Sequence, residues 1–231
     1  MAEKPKNFHA GHRQRVKGEF LARGLEGMPD HKVLELLLFF AKPQGDVNPL
    51  AHALMERFGS LSGVFHATYD QLLEVKGVGE NTATLIKLIP AIGGRYLQDR
   101  TDLSQIFRES WQFRELLAPY FFGARNELVY LVCLDGKGKL IACRRLGEGV
   151  ADAATITTRK VMEVALECNS SMVVLAHNHI SGLALPSAED IQTTKQLMAS
   201  LEQVGIELYD HFIVVDGDMV SMRQSHYLDR I

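Results

Sequence analysis

The sequence predicts an all-α domain over residues 1–100 followed by an α/β domain over residues 101–231. Residues 171–179 form an apolar run that ends in polar residues before Gly182, which is typical of a buried strand reaching a loop. From residue 30 onward the first half carries apolar residues at helical spacing instead. Between the halves, residues 93–104 are rich in glycine and charge, which predicts a domain boundary near residue 101.

The elements of the first half are predicted as helices. Asp30 suits the cap of a helix over residues 30–40, and Pro49 suits the first position of a helix that ends near residue 58. Residues 59–63 predict a loop because they combine Gly and Ser, and residues 69–74 predict a short helix.

A Gly-rich turn joins this short helix to the next one, and it resembles a helix-hairpin-helix. Gly77 and Gly79 let the backbone approach a DNA phosphate, which N–H groups at a helix N-terminus can bind, with Lys76 and Lys87 in support. Such a turn contacts the DNA backbone, so binding would be sequence-independent and sensitive to salt. The same turn also serves simple helix packing, and the sequence leaves both interpretations open.

The second half alternates helices and strands. A helix is predicted over residues 110–122, a strand over 126–135, a tight turn at 136–138 and a hairpin partner over 139–146. A helix over 157–168 precedes the apolar strand at 171–179, and a helix after Pro186 precedes a last strand at 206–215. Together these segments predict an α/β unit.

The apolar strand at 171–179 carries a candidate metal site at its end. Side chains alternate along a strand, so His177 and His179 project to one face and Asn178 to the other. Asp190 is the best local candidate for a third ligand, because Gly182 and Pro186 allow the chain to turn back. Two imidazoles and one further ligand are typical of hydrolytic zinc sites.

Ser187 and Asp190 also have a structural interpretation. A serine followed three residues later by an acidic residue predicts a capping box at the start of a helix. An aspartate in the first turn also complements the helix dipole. This interpretation explains Ser187 and Asp190 but leaves the two histidines unexplained.

The spacing His-x-His, seven residues, Ser, two residues, Asp resembles the ligand motif of the JAMM (MPN-plus, JAB) metallopeptidases. His177, His179, Ser187 and Asp190 match it, and the flanking His-Asn-His-x-Ser-Gly resembles the RadC branch, as do residues 209–215. The resemblance extends over nearly the whole chain and is most specific in the second half. It implies a mixed sheet flanked by helices, preceded by a smaller helix-hairpin-helix domain.

The resemblance further implies a zinc-dependent enzyme that cuts a peptide or isopeptide bond in a peptide or protein substrate. In such proteins the catalytic glutamate lies at the start of the first strand, which is the position of Glu127. Ser187 would then stabilise the oxyanion, provided that its hydroxyl is not committed to capping. Considered without the family, Glu127 is simply an exposed charge at a strand edge.

Two other functions stay open. The family's historical association with DNA repair implies a DNA-binding accessory protein in which the metal domain is structural or regulatory, and a scaffold that keeps its metal without catalysis is the third interpretation. His211 lies beside Asp210, where a histidine–carboxylate pair orients a metal ligand or is simply buried and hydrogen-bonded.

The loop after the second histidine departs from the RadC pattern. Ile180 replaces the usual proline, and Leu183-Ala-Leu185 replaces a more polar segment. We expect a less rigid and more apolar loop, which affects substrate recognition more than metal binding. Gly147-Glu-Gly149 also differs from the family's usual Gly-Thr.

Composition and charge limit the remaining functional classes. The chain has 231 residues, of which 46% are hydrophobic and 23% charged, which is typical of a folded protein. Its longest apolar runs, such as residues 33–41, are too short to span a membrane, so we expect a cytoplasmic protein. The odd number of cysteines, in or beside apolar segments, favours buried reduced thiols: these are Cys133, Cys143 and Cys168.

Charge is uneven along the chain. Residues 1–100 carry a net charge of +2 and residues 101–231 a net charge of −5, which together give the overall −3. The basic residues concentrate in residues 3–23, where positive charges exceed negative ones by four. This run either binds phosphates or forms a solvated segment that leads into a helix.

Overall fold

The computed structural model describes residues 11–99, 106–149, 158–180, 183–215 and 217–229. The chain forms two compact units, Met1–Ile92 and Gly93–Ile231, whose boundary lies inside a helix. The sequence places this boundary near residue 101, and the assignment of the first unit as a helix-hairpin-helix domain stays a prediction. Within the described ranges, no helix has the length and apolar character needed to cross a membrane.

Helices make up the described part of the first unit. The sequence predicts a loop over residues 59–63, but residues 61–63 belong to a short helix. The Ser60 hydroxyl caps this helix by accepting a hydrogen bond from the Gly63 N–H. Asp30 lies in the first turn of its helix, after Pro29 at the cap position. The helices are α1 (His12–Arg23), α2 (Asp30–Ala41), α3 (Asn48–Phe58), α4 (Leu61–His66), α5 (Tyr69–Leu73) and α6 (Glu80–Asp99), the last of which runs into the second unit.

The core of the first unit lies between α2, α3, α4 and the start of α6. Its centre consists of aliphatic side chains that are fully excluded from solvent. Burial of each such side chain contributes about 1.5–3 kcal/mol to folding. Helix α1 is attached through His12, whose Nε2 lies 3.0 Å from an oxygen of the buried Glu35. The central residues are Leu34, Leu38, Leu54, Val64 and Ile86.

The second unit is built on a sheet of five strands, and the sheet is mixed, as the resemblance of the sequence implies. The strand order is β2-β1-β3-β4-β5, in which only β3 and β4 are parallel neighbours. The sequence pattern did not indicate β5, a short strand that pairs with the end of β4. The elements are α7 (Ser110–Phe121), β1 (Leu128–Leu134), β2 (Leu140–Glu148), α8 (Thr158–Glu167), β3 (Met172–Asn178), α9 (Ala188–Glu202), β4 (Glu207–Val215) and β5 (Asp218–Ser221).

Helices cover the two faces of this sheet. Helix α7 packs on one face, where Phe113 is fully buried and its ring lies 6.0 Å from that of Phe212. Helices α8 and α9 pack on the other face, against Leu131, Leu175 and their neighbours. Because side chains alternate along each strand, every central strand contributes apolar residues to both layers.

A one-residue irregularity separates the start of β4 from its remainder. Val173 pairs with Leu208, but the next residue, Val174, pairs with Asp210, so Tyr209 is an extra residue on β4. Beyond this bulge Leu175 pairs with His211. His211 therefore lies on the same face of the sheet as Leu175, which is the face covered by α8 and α9.

Candidate metal centre

The two histidines predicted as ligands lie together at the C-terminal end of β3. His177 is buried, and its Nε2 lies 2.9 Å from Nε2 of His179, whose side chain is partly exposed. Asn178 projects to the opposite face, as strand alternation requires. The apolar residues before His177 belong to the core on both faces of the sheet, so packing fixes where the strand ends.

Asp190 reaches the histidines from the first turn of α9. The capping box predicted from sequence is present: Ser187 Oγ accepts a hydrogen bond from the Asp190 N–H at 3.1 Å, and Asp190 Oδ2 accepts one from the Ser187 N–H at 2.7 Å. The Ser187 hydroxyl also donates to Oδ2 at 2.6 Å. Ligation and capping are therefore compatible, because Oδ2 serves the cap while Oδ1 lies 3.3 Å from His177 Nε2.

The donor atoms of the three residues have the spacing of a metal site. Each residue offers one ligand atom, and these atoms lie within 4.8 Å of one another. The separations are 2.9 Å between the two imidazole nitrogens, and 3.3 and 3.5 Å from His177 and His179 to oxygens of Asp190. Ligand atoms placed tetrahedrally at the usual zinc bond lengths would be about 3.3 Å apart. The two imidazoles and the carboxylate therefore have the arrangement of a group that could hold a metal ion.

Burial keeps the inner imidazole in the form that binds metals. The pKa of His177 falls from 6.5 to about 4, mainly because burial disfavours the imidazolium and also because His179 lies beside it; Asp190 opposes this shift. The imidazole is therefore neutral near pH 7. Neutral imidazole is the form that donates a lone pair to a metal.

Glu127 lies immediately before β1, next to the strand that carries the histidines. Val129 pairs with His177 in the antiparallel ladder. Since Glu127 precedes Val129 by two residues, it projects to the same face, and continuation of this register would bring it opposite His179. The Glu127 side chain is partly buried. Its catalytic role stays a prediction.

Asn178, which the ligand motif does not include, holds this segment in place. Its Oδ1 accepts a hydrogen bond from the Leu128 N–H at 2.7 Å, and its Nδ2 donates to the Asn126 carbonyl at 3.2 Å. These two bonds bracket Glu127 in the chain. A buried amide between two candidate ligands was the sequence signal that could have identified it.

A network behind His177 involves two more buried residues. His177 Nδ1 lies 2.8 Å from His211 Nε2, and His211 Nδ1 lies 2.7 Å from the Thr194 hydroxyl. The pKa of His211 is well below 6.5, mainly because the ring is buried and then because two imidazoles lie near it. Thr194 stands one helical turn after Asp190, and that spacing was the signal for it in the sequence.

Asp210, which the sequence suggested as the partner of the His211 ring, accepts hydrogen bonds from other groups instead. Asp210 accepts hydrogen bonds from the Ser221 hydroxyl at 2.5 Å, and from the backbone N–H groups of His211 at 2.7 Å and Arg223 at 2.9 Å. Burial raises the pKa of this carboxyl. Asp210 thus holds the backbone around His211 and the turn after β5, while the imidazole contacts Thr194 and His177.

Of the residues considered for DNA contact, Lys76, Gly77 and Gly79 lie at the turn between α5 and α6, and Lys87 lies within α6. Gly77 has φ +96°, a conformation that favours glycine, and Lys76 is exposed. The Lys87 ammonium instead donates hydrogen bonds to the Phe65 and Ala67 carbonyls, each at 3.0 Å. The side chain of Lys87 therefore supports the packing of α6. DNA contact through this turn, including Gly79, stays a prediction.

The loop between β3 and α9 is apolar at its surface, as predicted. The side chains of Ile180, Leu183 and Leu185 are 52%, 73% and 50% exposed. Gly182 lies outside the described residues. In the sequence these three residues lie between His179 and Asp190, directly after the end of β3.

Comparisons with known proteins identify the family to which the chain belongs. Residues 107–227 match the RadC family, described as a RadC-like JAB domain. A UPF0758 protein of Ruegeria pomeroyi is 35% identical over 221 residues, which cover 94% of this chain and 97% of the relative. A UPF0758 protein of Rhodobacter capsulatus is 37% identical over 212 residues, which cover 90% and 97%. The chain therefore belongs to the RadC family, with a JAB domain that contains the candidate metal centre.

Proposed function

We propose that this protein is a zinc-dependent metallopeptidase that hydrolyses a peptide or isopeptide bond in a peptide or protein substrate. The observation that carries the proposal is the grouping of His177, His179 and Asp190 at the separations of a three-ligand zinc site. Catalytic zinc sites use three protein ligands and keep the remaining position for water or substrate, whereas structural zinc sites usually use four. The membership of the chain in the RadC family, with its JAB domain, is consistent with this function.

The three proposed ligands differ in burial and in charge. His177 is held rigidly by burial, His179 stands at the partly exposed rim, and Asp190 supplies negative charge from the start of α9. The rim position gives a substrate access to the ion from the side of His179. When bound, zinc would polarise an amide carbonyl and lower the pKa of a bound water to about 7.

Proton transfer requires a further carboxylate, and Glu127 is the proposed one. A general base must accept the water proton and return it to the leaving nitrogen. The β1–β3 register and the two hydrogen bonds of Asn178 support a position for Glu127 on the histidine face of the sheet. A mobile strand end would lose this orientation, so the Asn178 bonds serve catalysis through Glu127.

The proposed oxyanion role of Ser187 requires a rearrangement of its hydroxyl. In the capping box the hydroxyl proton is donated to Asp190 Oδ2 at 2.6 Å. A proton committed to this acceptor is not available to an oxyanion. Ser187 therefore positions Asp190 first, and it stabilises an oxyanion only when its hydroxyl turns away from the carboxylate.

The decisive test combines metal content with hydrolysis. Protein purified without chelator should contain one zinc per chain by elemental analysis, and His177→Ala and Asp190→Ala should lose it. Glu127→Gln should keep the zinc but lose cleavage of a peptide library analysed by mass spectrometry. General acid–base catalysis contributes roughly 10²–10⁴-fold to the rate, so the loss should be of that size.

Glu163→Gln provides the matched control. Glu163 is a surface carboxylate on α8 that pairs with Arg159, so its substitution should change neither zinc content nor cleavage. Protein without stoichiometric metal would refute the proposal. Zinc-loaded protein that cleaves no peptide or isopeptide substrate would favour a scaffold that retains its metal, and equal activity of Glu127→Gln would remove Glu127 from the mechanism.

A further inference from the structure

We infer that Thr194 and His211 form a hydrogen-bond relay that holds His177 in one tautomer, with its Nε2 lone pair directed at the metal site. The relay runs from the Thr194 hydroxyl through both nitrogens of His211 to His177 Nδ1, over distances of 2.7 and 2.8 Å. Thr194 and His211 are therefore positioning residues, which act through His177. The inference rests on the proposed metal centre and extends it to residues that touch no ion.

The proton positions in the relay follow from the hydrogen bonds of the Thr194 hydroxyl. The Thr194 hydroxyl has one proton, and its oxygen lies 2.5 Å from the Asp190 carbonyl oxygen. A carbonyl oxygen only accepts hydrogen bonds, so the hydroxyl proton is donated to it. Toward His211 the hydroxyl oxygen must then accept, which assigns a proton to His211 Nδ1.

The proton on His211 Nδ1 determines which nitrogen of His177 carries a proton. The His211 imidazole is buried, and its side-chain partners are an uncharged hydroxyl and an uncharged imidazole, so a neutral ring is favoured. A neutral imidazole with a proton on Nδ1 has a lone pair on Nε2. That lone pair accepts from His177 Nδ1–H, which leaves Nε2 of His177 as a lone-pair donor toward His179 and Asp190.

The relay also connects the three elements that build the site. Thr194 is on α9 one turn after the ligand Asp190, His211 is on β4, and His177 is on β3. Its bond to the Asp190 carbonyl joins Thr194 to the backbone of one ligand while His211 contacts the side chain of another. Loss of the relay should therefore alter metal binding more than it alters the fold.

The test on the unchanged protein is the histidine tautomer, measured by long-range ¹H–¹⁵N correlation spectra of metal-free, ¹⁵N-labelled protein. We expect His177 and His211 each to have the proton on Nδ1. A proton on Nε2 of His177, or exchange between both tautomers, would overturn the inference. Because this measurement needs no metal, its result is independent of whether the protein is a zinc peptidase.

The test by substitution is Thr194→Val, which keeps the shape of the side chain and removes the hydroxyl. We expect zinc affinity, measured by competition with a chelator, to fall roughly ten- to hundred-fold, the usual effect of losing a partner behind a metal-ligating histidine. Thr194→Ser is the matched control, since serine can make both hydrogen bonds, and it should bind zinc within about threefold of the original protein. Equal affinities of the Val and Ser variants would contradict the relay. If the Val variant is unstable, the His177 tautomer of the unchanged protein decides the inference.

Discussion

Replacing Ser187 by alanine tests whether the capping box supports the metal site, because thermal stability and zinc affinity can each be measured in the variant. The substitution removes the bond from the Asp190 N–H at 3.1 Å and the donation to Asp190 Oδ2 at 2.6 Å, and keeps the bond from the backbone N–H of residue 187. Loss of an N-cap costs about 0.5–2 kcal/mol, and loss of a hydrogen bond to a charged group about 1.5–3 kcal/mol. Both bonds involve one hydroxyl, so the costs overlap, and we expect a total of about 1–3 kcal/mol.

Scanning calorimetry of chelator-treated protein measures this loss without a contribution from bound metal. For a domain of this size each kcal/mol lowers the melting temperature by roughly 2–4 °C, so Ser187→Ala should melt roughly 2–12 °C below the original protein. Zinc affinity should fall as well, because the Asp190 carboxylate is less restrained. Ser187→Thr keeps the hydroxyl and should retain most of both quantities.

A second capping box in the chain serves as a control for the chemistry of the cap alone. Thr68 and Gln71 form it at the start of α5, in the unit without the metal site. Thr68→Ala should cost a similar free energy in its own unit and leave zinc affinity unchanged. A link between this cap and the metal site is refuted if Ser187→Ala melts at the original temperature, or if it binds zinc as tightly as Thr68→Ala does.

Three further outcomes are expected. In chelator-treated protein, His177 has a folded-state pKa of about 4 against the ordinary 6.5, so the stability from its neutral form is complete above pH 6.5 and is lost as the pH falls toward 4. Urea unfolding across this range should show the loss, at up to about 1.4 kcal/mol per pH unit for this group, and a flat profile would contradict the burial argument. Phe113→Ala should destabilise the second unit by about 3–5 kcal/mol because the ring is fully buried, whereas Trp111→Ala on the same helix, where the side chain is 56% exposed, should change stability by about 0.5 kcal/mol or less in calorimetry. If the turn before α6 contacts DNA, the full chain should bind DNA in gel-shift assays at low salt, and Lys76→Glu should weaken this binding more than Lys87→Glu does when the two variants are equally stable. Absence of binding by the original protein would reject the contact.

The sequence predicted most of the structure that depends on local pattern. The mixed sheet was implied by the family resemblance, whereas the strand that carries His177 and the capping box of Ser187 and Asp190 follow from periodicity and motif spacing. These features are local, so a few neighbouring residues determine them. The approach of Asp190 to the histidines was also predictable, because the intervening loop is short.

Contacts between distant segments could not be predicted in the same way. The sequence suggested Asp210 as the partner of the His211 ring because the two residues are adjacent, but neighbours on a strand project to opposite faces. The bulge at Tyr209 determines which face each residue takes, and regular alternation gives no indication of it. Thr194 was missed for a related reason, since its contact with His211 joins α9 to β4.

The bulge at Tyr209 makes the candidate metal centre depend on the pairing register of β4. If Tyr209 were paired regularly, the pairing of Val173 with Leu208 would continue in step, and His211 would fall opposite Ala176, on the face covered by α7. Such a register shift would disconnect His177 from His211 while every candidate ligand kept its identity and its place in the sequence. Deletion of Tyr209, by contrast, would leave Asp210 and His211 opposite Val174 and Leu175, so a shift of register, and not the loss of this residue, is expected to weaken the site.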